Sequence, residues 1–295
     1  MAGRSLGLAG IRQKIAVSLI IVLGGIQAMN VPFWCLLVSC GGAIAMKFLG
    51  IDLGWSSGAS GLCCLEWVGD RLELRDLQHQ AAIADILAWV DQWLPAPAPG
   101  LIAVDAPTLI PNQTGMRLPD RLAHRHFGKY HAGCYPANLG SVFAQRTIAF
   151  GLSLEARGFQ HAPTLQARQC GRFQIEAFPH PAIVHLFKLN QILKYKKGLL
   201  AQRQTELARL RDYIHTDLPW HEPALDVAQG PILLPPIPPT GKALKAVEDQ
   251  LDSLICAYIA AHWWYWGLER NMVLGDRAEG YIVVPTPFVA PAPPI

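Results

Sequence analysis

The sequence predicts an α/β domain with a mixed five-stranded sheet, and three observations support this fold class. Three strand patterns precede the first helix pattern, and the dipeptide Gly69-Asp70 joins the second and third through a tight turn. Strand and helix patterns then alternate, which is typical of parallel strands with helical crossovers. Of the 295 residues, 51% are hydrophobic and 16% are charged, so the chain can bury a large core. A disordered or fibrous protein is thereby excluded.

The order of the predicted elements defines the topology. Strands over 47–53, 59–68 and 71–77 form an antiparallel meander, and the apolar runs 101–105 and 172–176 add two parallel strands. Helices are predicted over 81–93, 118–127, 141–157, 181–189, 199–213 and 242–266, with a terminal strand over 281–284. This order is that of an RNase H-like fold. We therefore expect a single RNase H-like domain over 46–295, with a helical insertion at about 178–240 before the last helix.

An apolar leader covers residues 1–45, and three interpretations of it remain open. The uncharged run after Lys14 exceeds the ~20 residues that span a bilayer, so a membrane anchor is one interpretation. A signal peptide is the second, and a mis-assigned start with Met46 as the true first residue is the third. The seven cysteines form no CxxC pair, which favours a reducing compartment. We expect a cytoplasmic protein, with membrane anchoring through residues 15–45 as the alternative.

The net charge of +3 comes entirely from the leader, because the remaining 250 residues carry 22 basic and 22 acidic side chains. That balance hides an uneven distribution. Residues 46–110 have 3 basic and 8 acidic side chains, residues 111–211 have 15 and 4, and residues 212–295 have 4 and 10. A basic middle segment beside an acidic centre would bind the phosphates of a nucleic acid.

Acidic residues stand where apolar strands and a helix should place them together. Asp52, Asp105 and Glu176 lie in or at the end of three predicted strands, and Asp249 and Asp252 share one face of the last helix. Buried carboxylates raise one another's pKa unless a cation neutralises them. Mg²⁺ or Mn²⁺ prefers such oxygen ligands, and two of these ions can promote phosphodiester hydrolysis. A cap, an ion pair or a helix-dipole contact could instead explain each acid taken singly.

Several segments resemble the domain-of-unknown-function family 429, commonly described as predicted nucleases of RNase H-like fold. The matching segments are GIDLGW at 50–55, IAVDAP at 102–107, PNQTGMR at 111–117, GCYPAN at 133–138, IEAFPH at 175–180, KYKKG at 194–198 and EDQLDSLICAY at 248–258. The resemblance implies metal-dependent phosphodiester chemistry. It implies Asp52, Asp105 and Asp252 as metal ligands, with Glu176 and Asp249 as further catalytic residues.

Substrate contacts are expected from the basic middle segment and its neighbours. Arginine and lysine would bind phosphates, tyrosines could stack on bases, and His180 is the histidine best placed to touch a substrate. The predicted substrate-binding residues are Asn112, Arg117, Arg121, Tyr135, His180, Tyr195, Lys196 and Arg203. A solvated helix face, or a loop that holds a small phosphate, would explain some of them equally well.

Three hypotheses for function follow. The first is a Mg²⁺- or Mn²⁺-dependent nuclease or phosphodiesterase that acts on DNA or RNA. The second is an actin-like or sugar-kinase-type phosphotransferase, because residues 50–57 also resemble a phosphate-binding loop, although that group needs a second domain. The third is a catalytically inactive protein that binds nucleic acid, or one that works at a membrane if the leader is an anchor.

Overall fold

The computed structural model describes residues 46–55, 58–228, 230 and 232–287. The three interpretations of the leader, and with them the anchor through residues 15–45, fall outside these residues. Within the ranges described, no helix has the length and the apolar character needed to cross a bilayer.

The described residues form an α/β fold in which six α-helices flank a mixed sheet of seven strands. The strands are β1 (Lys47–Asp52), β2 (Ser60–Val68), β3 (Arg71–Gln80), β4 (Gly100–Val104), β5 (Gln160–His161), β6 (Arg172–Glu176) and β7 (Ala224–Leu225). They lie in the order β5-β6-β4-β1-β2-β3-β7. β1, β2 and β3 pair antiparallel, whereas β1, β4 and β6 run parallel.

The helices are α1 (Ile83–Trp93), α2 (Leu118–Phe127), α3 (Ala144–Glu155), α4 (Pro179–Leu186), α5 (Leu200–Thr216) and α6 (Gly241–Trp266). Strands β8 (Asn271–Asp276) and β9 (Gly280–Pro285) form a separate antiparallel hairpin. The predicted count of five strands in the sheet is therefore too low. The two additional strands, β5 and β7, are dipeptides at the sheet edges, too short to show a period-two pattern. The predicted terminal strand corresponds to β9, which pairs with β8 outside the main sheet.

Alternation along the central strands divides the core into two layers. Leu49 and Ile51 of β1 pack with Ile86 and Val90 of α1, and with Phe150 of α3. The intervening positions of the strand face the other side of the sheet, where the buried face of α6 packs. The apolar residues of both layers are almost completely buried, so hydrophobic burial on two faces stabilises the sheet.

Two glycines allow α6 to lie directly on the strands. A Cβ at Gly50 of β1 would overlap the backbone of Ser253 and Ala257. A Cβ at Gly61 of β2 would overlap the backbone of Asp249. Any other residue at either position would push the helix outward. The helix backbone therefore lies within contact distance of β1 and β2 because these positions lack a side chain.

We predict that Gly50→Ala lowers the free energy of unfolding by about 3 kcal/mol or more, because a rigid helix backbone cannot yield to the added methyl group. The matched control is Gly241→Ala in the first turn of the same helix, where an added Cβ meets open space. That change should be neutral or stabilising by up to about 1 kcal/mol. Urea unfolding followed by circular dichroism compares the two variants. Equal stabilities would contradict the close approach at Gly50.

Candidate active site

The predicted strand acids lie at neighbouring positions along one edge of the sheet. Asp52 is the last residue of β1, Asp105 follows β4 directly, and Glu176 is the last residue of β6. Ile51 pairs with Val104, and Val104 pairs with Glu176, so the three strands end at the same level. The carboxyl ends of parallel strands are where open α/β sheets bind ligands.

Helix α6 adds two carboxylates above β1 and β4. Alternation points Asp52 and Asp105 to the face of the sheet that α6 covers, where Asp249 and Asp252 are buried on the helix. Electrostatic repulsion acts among the four carboxylates of Asp52, Asp105, Asp249 and Asp252. We call these four residues the acidic cluster. A cavity of about 420 Å³, lined by Asp52, Asp105 and Asp249 among others, opens beside it.

Burial is the main reason that the pKa values of Asp52 and Asp105 are raised. It raises the pKa of Asp52 well above its usual range; Lys196 opposes the rise, and the neighbouring acids add to it. Burial also raises the pKa of Asp105 to about 7. The positive charge of Lys196 opposes this rise, and the negative charges of Asp252 and Asp249 add to it. Asp105 is therefore poised to exchange a proton near neutral pH.

Cationic side chains lie among the acids and offset part of their charge. Lys196 Nζ is 2.7 Å from Asp252 Oδ2, and Lys245 forms ion pairs with Glu248, at 3.1 Å, and with Asp249. Although desolvation lowers it, the pKa of Lys196 is raised overall by Asp252 and Asp52, so the ammonium group stays charged. Arg203 lies 3.4 Å from Glu248. Carboxylates outnumber cationic side chains in this group: Asp52, Asp105, Glu248, Asp249 and Asp252 lie with Lys196, Lys245 and Arg203.

Two further side chains hold the carboxylates of α6 in place. The hydroxyl of Tyr195, which is fully buried, donates to Asp252 Oδ1 at 2.7 Å. On the opposite side, His79 Nε2 of β3 lies 3.1 Å from Asp249 Oδ2. Both contacts restrict the rotation of a carboxylate and thereby reduce the entropy that ligand binding would cost.

Glu176 takes part in a separate buried network. Both of its carboxylate oxygens accept hydrogen bonds from Arg117, at 2.7 and 2.8 Å. Arg117 also donates to both oxygens of Asp120 and to the Leu109 carbonyl. Burial raises the pKa of Glu176 to about 7, although Arg117 opposes the rise. Arg117 is thus a buried partner of two acids, and its nitrogens are directed at them rather than into open solvent.

The acidic cluster fits a divalent cation in donor chemistry and charge. Its donors are oxygens, as Mg²⁺ and Mn²⁺ prefer, and a divalent cation would offset the repulsion among its carboxylates. In the part of the chain that the structure describes, Asp52 Oδ2 is buried and accepts no hydrogen bond. Asp252 Oδ2 has its ion pair with Lys196 but no well-aligned hydrogen bond among the same residues. No group of three His, Cys, Asp or Glu side chains in the described ranges is already spaced as a metal cage. Side-chain rearrangement around Lys196 would have to accompany metal binding.

Residues 50–277 match the family model described as protein of unknown function, DUF429. This chain belongs to DUF429. The match begins at β1 and includes the acidic cluster, the Arg117 network and helix α6. No curated protein and no solved structure matches the chain.

Other residues predicted to bind substrate in this DUF429 protein occupy different surroundings. Tyr135 is exposed at the mouth of the cavity, and His180 and Lys196 line it. The Asn112 side chain bridges backbone carbonyls of Thr114 and Ala137. Arg121 is exposed on α2 and donates to the Met116 carbonyl. Tyr195 is buried against Asp252, and Arg203 donates to the Tyr195 carbonyl.

Sequence reasoning missed three residues at this DUF429 site. Lys245 lies one turn before Asp249 on α6, and this spacing was a usable signal for an ion pair. His79 and Trp55 gave no comparable signal, because their contacts with Asp249 and with the Asp105 carbonyl join distant parts of the chain.

We predict that Asp105→Asn stabilises the protein more at pH 8 than at pH 5. Folding raises the pKa of Asp105 from 3.8 to about 7, so the stability of the unchanged protein falls as the pH rises through that window. The amide does not ionise, so the variant avoids this loss. The difference in the free energy of unfolding between the variant and the unchanged protein should therefore rise by about 1–3 kcal/mol from pH 5 to pH 8. Urea unfolding in EDTA measures the difference, and the exposed Asp212→Asn is the control. An equal gain at both pH values would contradict the prediction.

Proposed function

We propose that this protein is a Mg²⁺- or Mn²⁺-dependent phosphodiesterase of RNase H-like fold that hydrolyses nucleic acid. The convergence of the four acids at the carboxyl ends of β1 and β4, beneath α6, carries the proposal. Their oxygen donors and mutual repulsion suit a divalent cation, and a cavity beside them is open to a substrate.

The order of the central strands supports the fold assignment. β6-β4-β1-β2-β3 contains an antiparallel meander followed by two parallel strands, which is the arrangement expected of an RNase H-like sheet. The two dipeptide strands add only edge pairs to this arrangement. Fold alone does not establish activity, so the proposal rests on the site rather than on the sheet.

Each residue of the site has a distinct role under this proposal. Asp52, Asp105 and Asp252 would hold the cation, and Asp249 would complete the acidic surroundings. Such a cation lowers the pKa of a water molecule and attracts charge from a phosphodiester. Tyr195 fixes the orientation of the Asp252 carboxylate.

The Arg117 network has a supporting role in the proposal. Because Arg117 donates to both Glu176 and Asp120, it ties the end of β6 to the first turn of α2. Asp120 also accepts from the backbone of Ala137, which anchors the loop beside the cavity. Glu176 and Arg117 are accordingly positioning residues, which keep the cavity wall in place.

The phosphotransferase hypothesis and the hypothesis of an inactive nucleic-acid-binding protein differ from the proposal in testable ways. A phosphotransferase of the actin-like or sugar-kinase type needs a second domain of similar topology, and residues 46–287 as described contain one sheet of this type. An inactive nucleic-acid-binding protein would use the same surface without hydrolysis. The activity assay below separates it from the enzyme.

We predict metal-dependent cleavage by the full-length protein of at least one nucleic acid from a panel of single-stranded, duplex and hybrid DNA and RNA. Asp52→Asn and Asp252→Asn should each lower the rate by about 100-fold or more, because each removes a charge at the cluster. Asp212→Asn, which changes an exposed aspartate, should retain full activity. Absence of cleavage across the panel in Mn²⁺ would overturn the proposal, and cleavage retained by both cluster variants would show a contaminating nuclease.

Lys196→Gln tests how the cationic side chains affect metal binding. Removing the ammonium group makes the formal charge of the site more negative by one and releases Asp252 Oδ2. We predict that the variant binds Mn²⁺ at least several-fold more tightly in calorimetric titration, in line with one added unit charge nearby. Lys242→Gln, on an exposed lysine at the start of α6, is the control. Unchanged or weaker Mn²⁺ binding would show that Lys196 does not compete with the metal.

A further inference from the structure

An aromatic surface lies at the mouth of the cavity, beside the acidic cluster. It consists of Trp55, Tyr135 and Phe143, and we call it the aromatic ledge. The Trp55 ring lies 4.5 Å from that of Phe143 and 6.3 Å from that of Tyr135, measured between ring centroids. Trp55 Nε1 donates to the backbone carbonyl of Asp105 at 3.3 Å, so the ledge is attached to a member of the cluster.

One ring of the ledge, that of Tyr135, is open to solvent, whereas the rings of Trp55 and Phe143 are partly buried. Tyr135 is 64% exposed, and the nearby Val142 is 92% exposed. Tyr135 and Trp55 line the same cavity as Asp52 and Asp105. The exposed ring of Tyr135, beside a cavity lined by carboxylates and aromatic rings, offers a contact surface to a ligand with a flat apolar face.

A basic groove continues from the ledge. Lys197 Nζ donates to the Tyr135 hydroxyl at 2.8 Å, and the same lysine lines a groove of about 910 Å³. Four cationic side chains, those of Lys188, Lys194, Lys197 and Arg209, and one acidic side chain, that of Glu206, line this groove. The groove is therefore suited to a chain of negative charges, and Lys197 both lines the groove and contacts the ledge at Tyr135.

The aromatic ledge and the basic groove adjoin each other at Lys197, so one ligand could contact both. A flat apolar face would stack on the ledge, a phosphate chain would follow the basic groove, and the acidic cluster lies behind the ledge. A nucleotide strand has both parts, and its bases must be unpaired to offer a free face to an aromatic ring. In a duplex both faces of an internal base are covered by its neighbours.

We propose that the aromatic ledge binds an unpaired nucleobase, and that the protein selects single-stranded nucleic acid, with the adjoining backbone running over Lys197 into the basic groove. This inference rests on the proposed function for its biological meaning, because it names the substrate class of the same site. Its binding component stands independently of hydrolysis. Tyr135 and Lys197 act here as specificity-determining residues.

The test is binding of the full-length protein to fluorescently labelled oligonucleotides in EDTA, where cleavage does not interfere. Anisotropy should show tighter binding of single-stranded oligothymidine or oligouridine of eight nucleotides than of a blunt hairpin duplex. Tyr135→Ala should weaken single-strand binding about 5- to 100-fold, and Tyr135→Phe should restore most of it. Trp220→Ala removes an aromatic residue that is 88% exposed elsewhere and should leave binding unchanged. Lys197→Gln should weaken binding and reduce its dependence on salt.

The outcomes separate the ledge from the proposed activity. Binding that depends on Tyr135, without cleavage in any metal, would retain the ledge and overturn the phosphodiesterase. Cleavage that is unaffected by Tyr135→Ala, with unchanged binding, would overturn the ledge and retain the activity. Duplex binding equal to single-strand binding would also overturn the inference. The thermal unfolding of each variant, measured alongside, distinguishes a lost contact from a lost fold.

Discussion

Helix α6 lies against β1 and β2 at backbone distance, and this close approach is the constraint on which the site depends. Gly50 and Gly61 are the strand positions that allow it, since a Cβ at either would overlap the helix backbone. The approach brings Asp249 and Asp252 over the ends of β1 and β4. A helix one side chain further out would pack equally well against an apolar sheet, but its acids would not meet those of the strands. Two small residues in the strands thus determine the geometry of charged residues elsewhere.

This close approach places the carboxylates of the acidic cluster in a buried region, and nearby lysines offset part of their negative charge. Burial raises the pKa of Asp52 and of Asp105, and Lys196 and Lys245 contribute positive charge from opposite sides. The Glu176 carboxylate, on the other face of its strand, has a different partner in Arg117. The site is therefore divided in two. One part is a tightly paired network that fixes the cavity wall, and the other retains uncompensated charge beside the cavity.

Local patterns predicted most of the elements that carry the site, and the contacts between elements could not be predicted in the same way. The predicted strand over 172–176 agrees with β6, and the predicted helix over 118–127 agrees with α2. β8 escaped prediction, because its sequence has no clear alternation and its pairing with β9 defines it as a strand. The position of Lys196 depends on how the segment between α4 and α5 folds back onto α6. A basic segment shows that a cation is present, but not that its side chain turns inward to Asp252.

Because Lys196 turns inward, the three unevenly charged segments of the sequence meet at the site. The acidic first segment contributes Asp52 and Asp105, the acidic last segment contributes Asp249 and Asp252, and the basic middle contributes Lys196. Segments whose charges cancel in the total are brought together at one site, where carboxylates outnumber cationic side chains. Dissolved salt screens the remaining charge beyond a Debye length of about 8 Å at physiological ionic strength. Recognition of a strand must therefore come from short-range contacts, and the exposed ring of Tyr135 and the ammonium of Lys197 lie where such contacts would form.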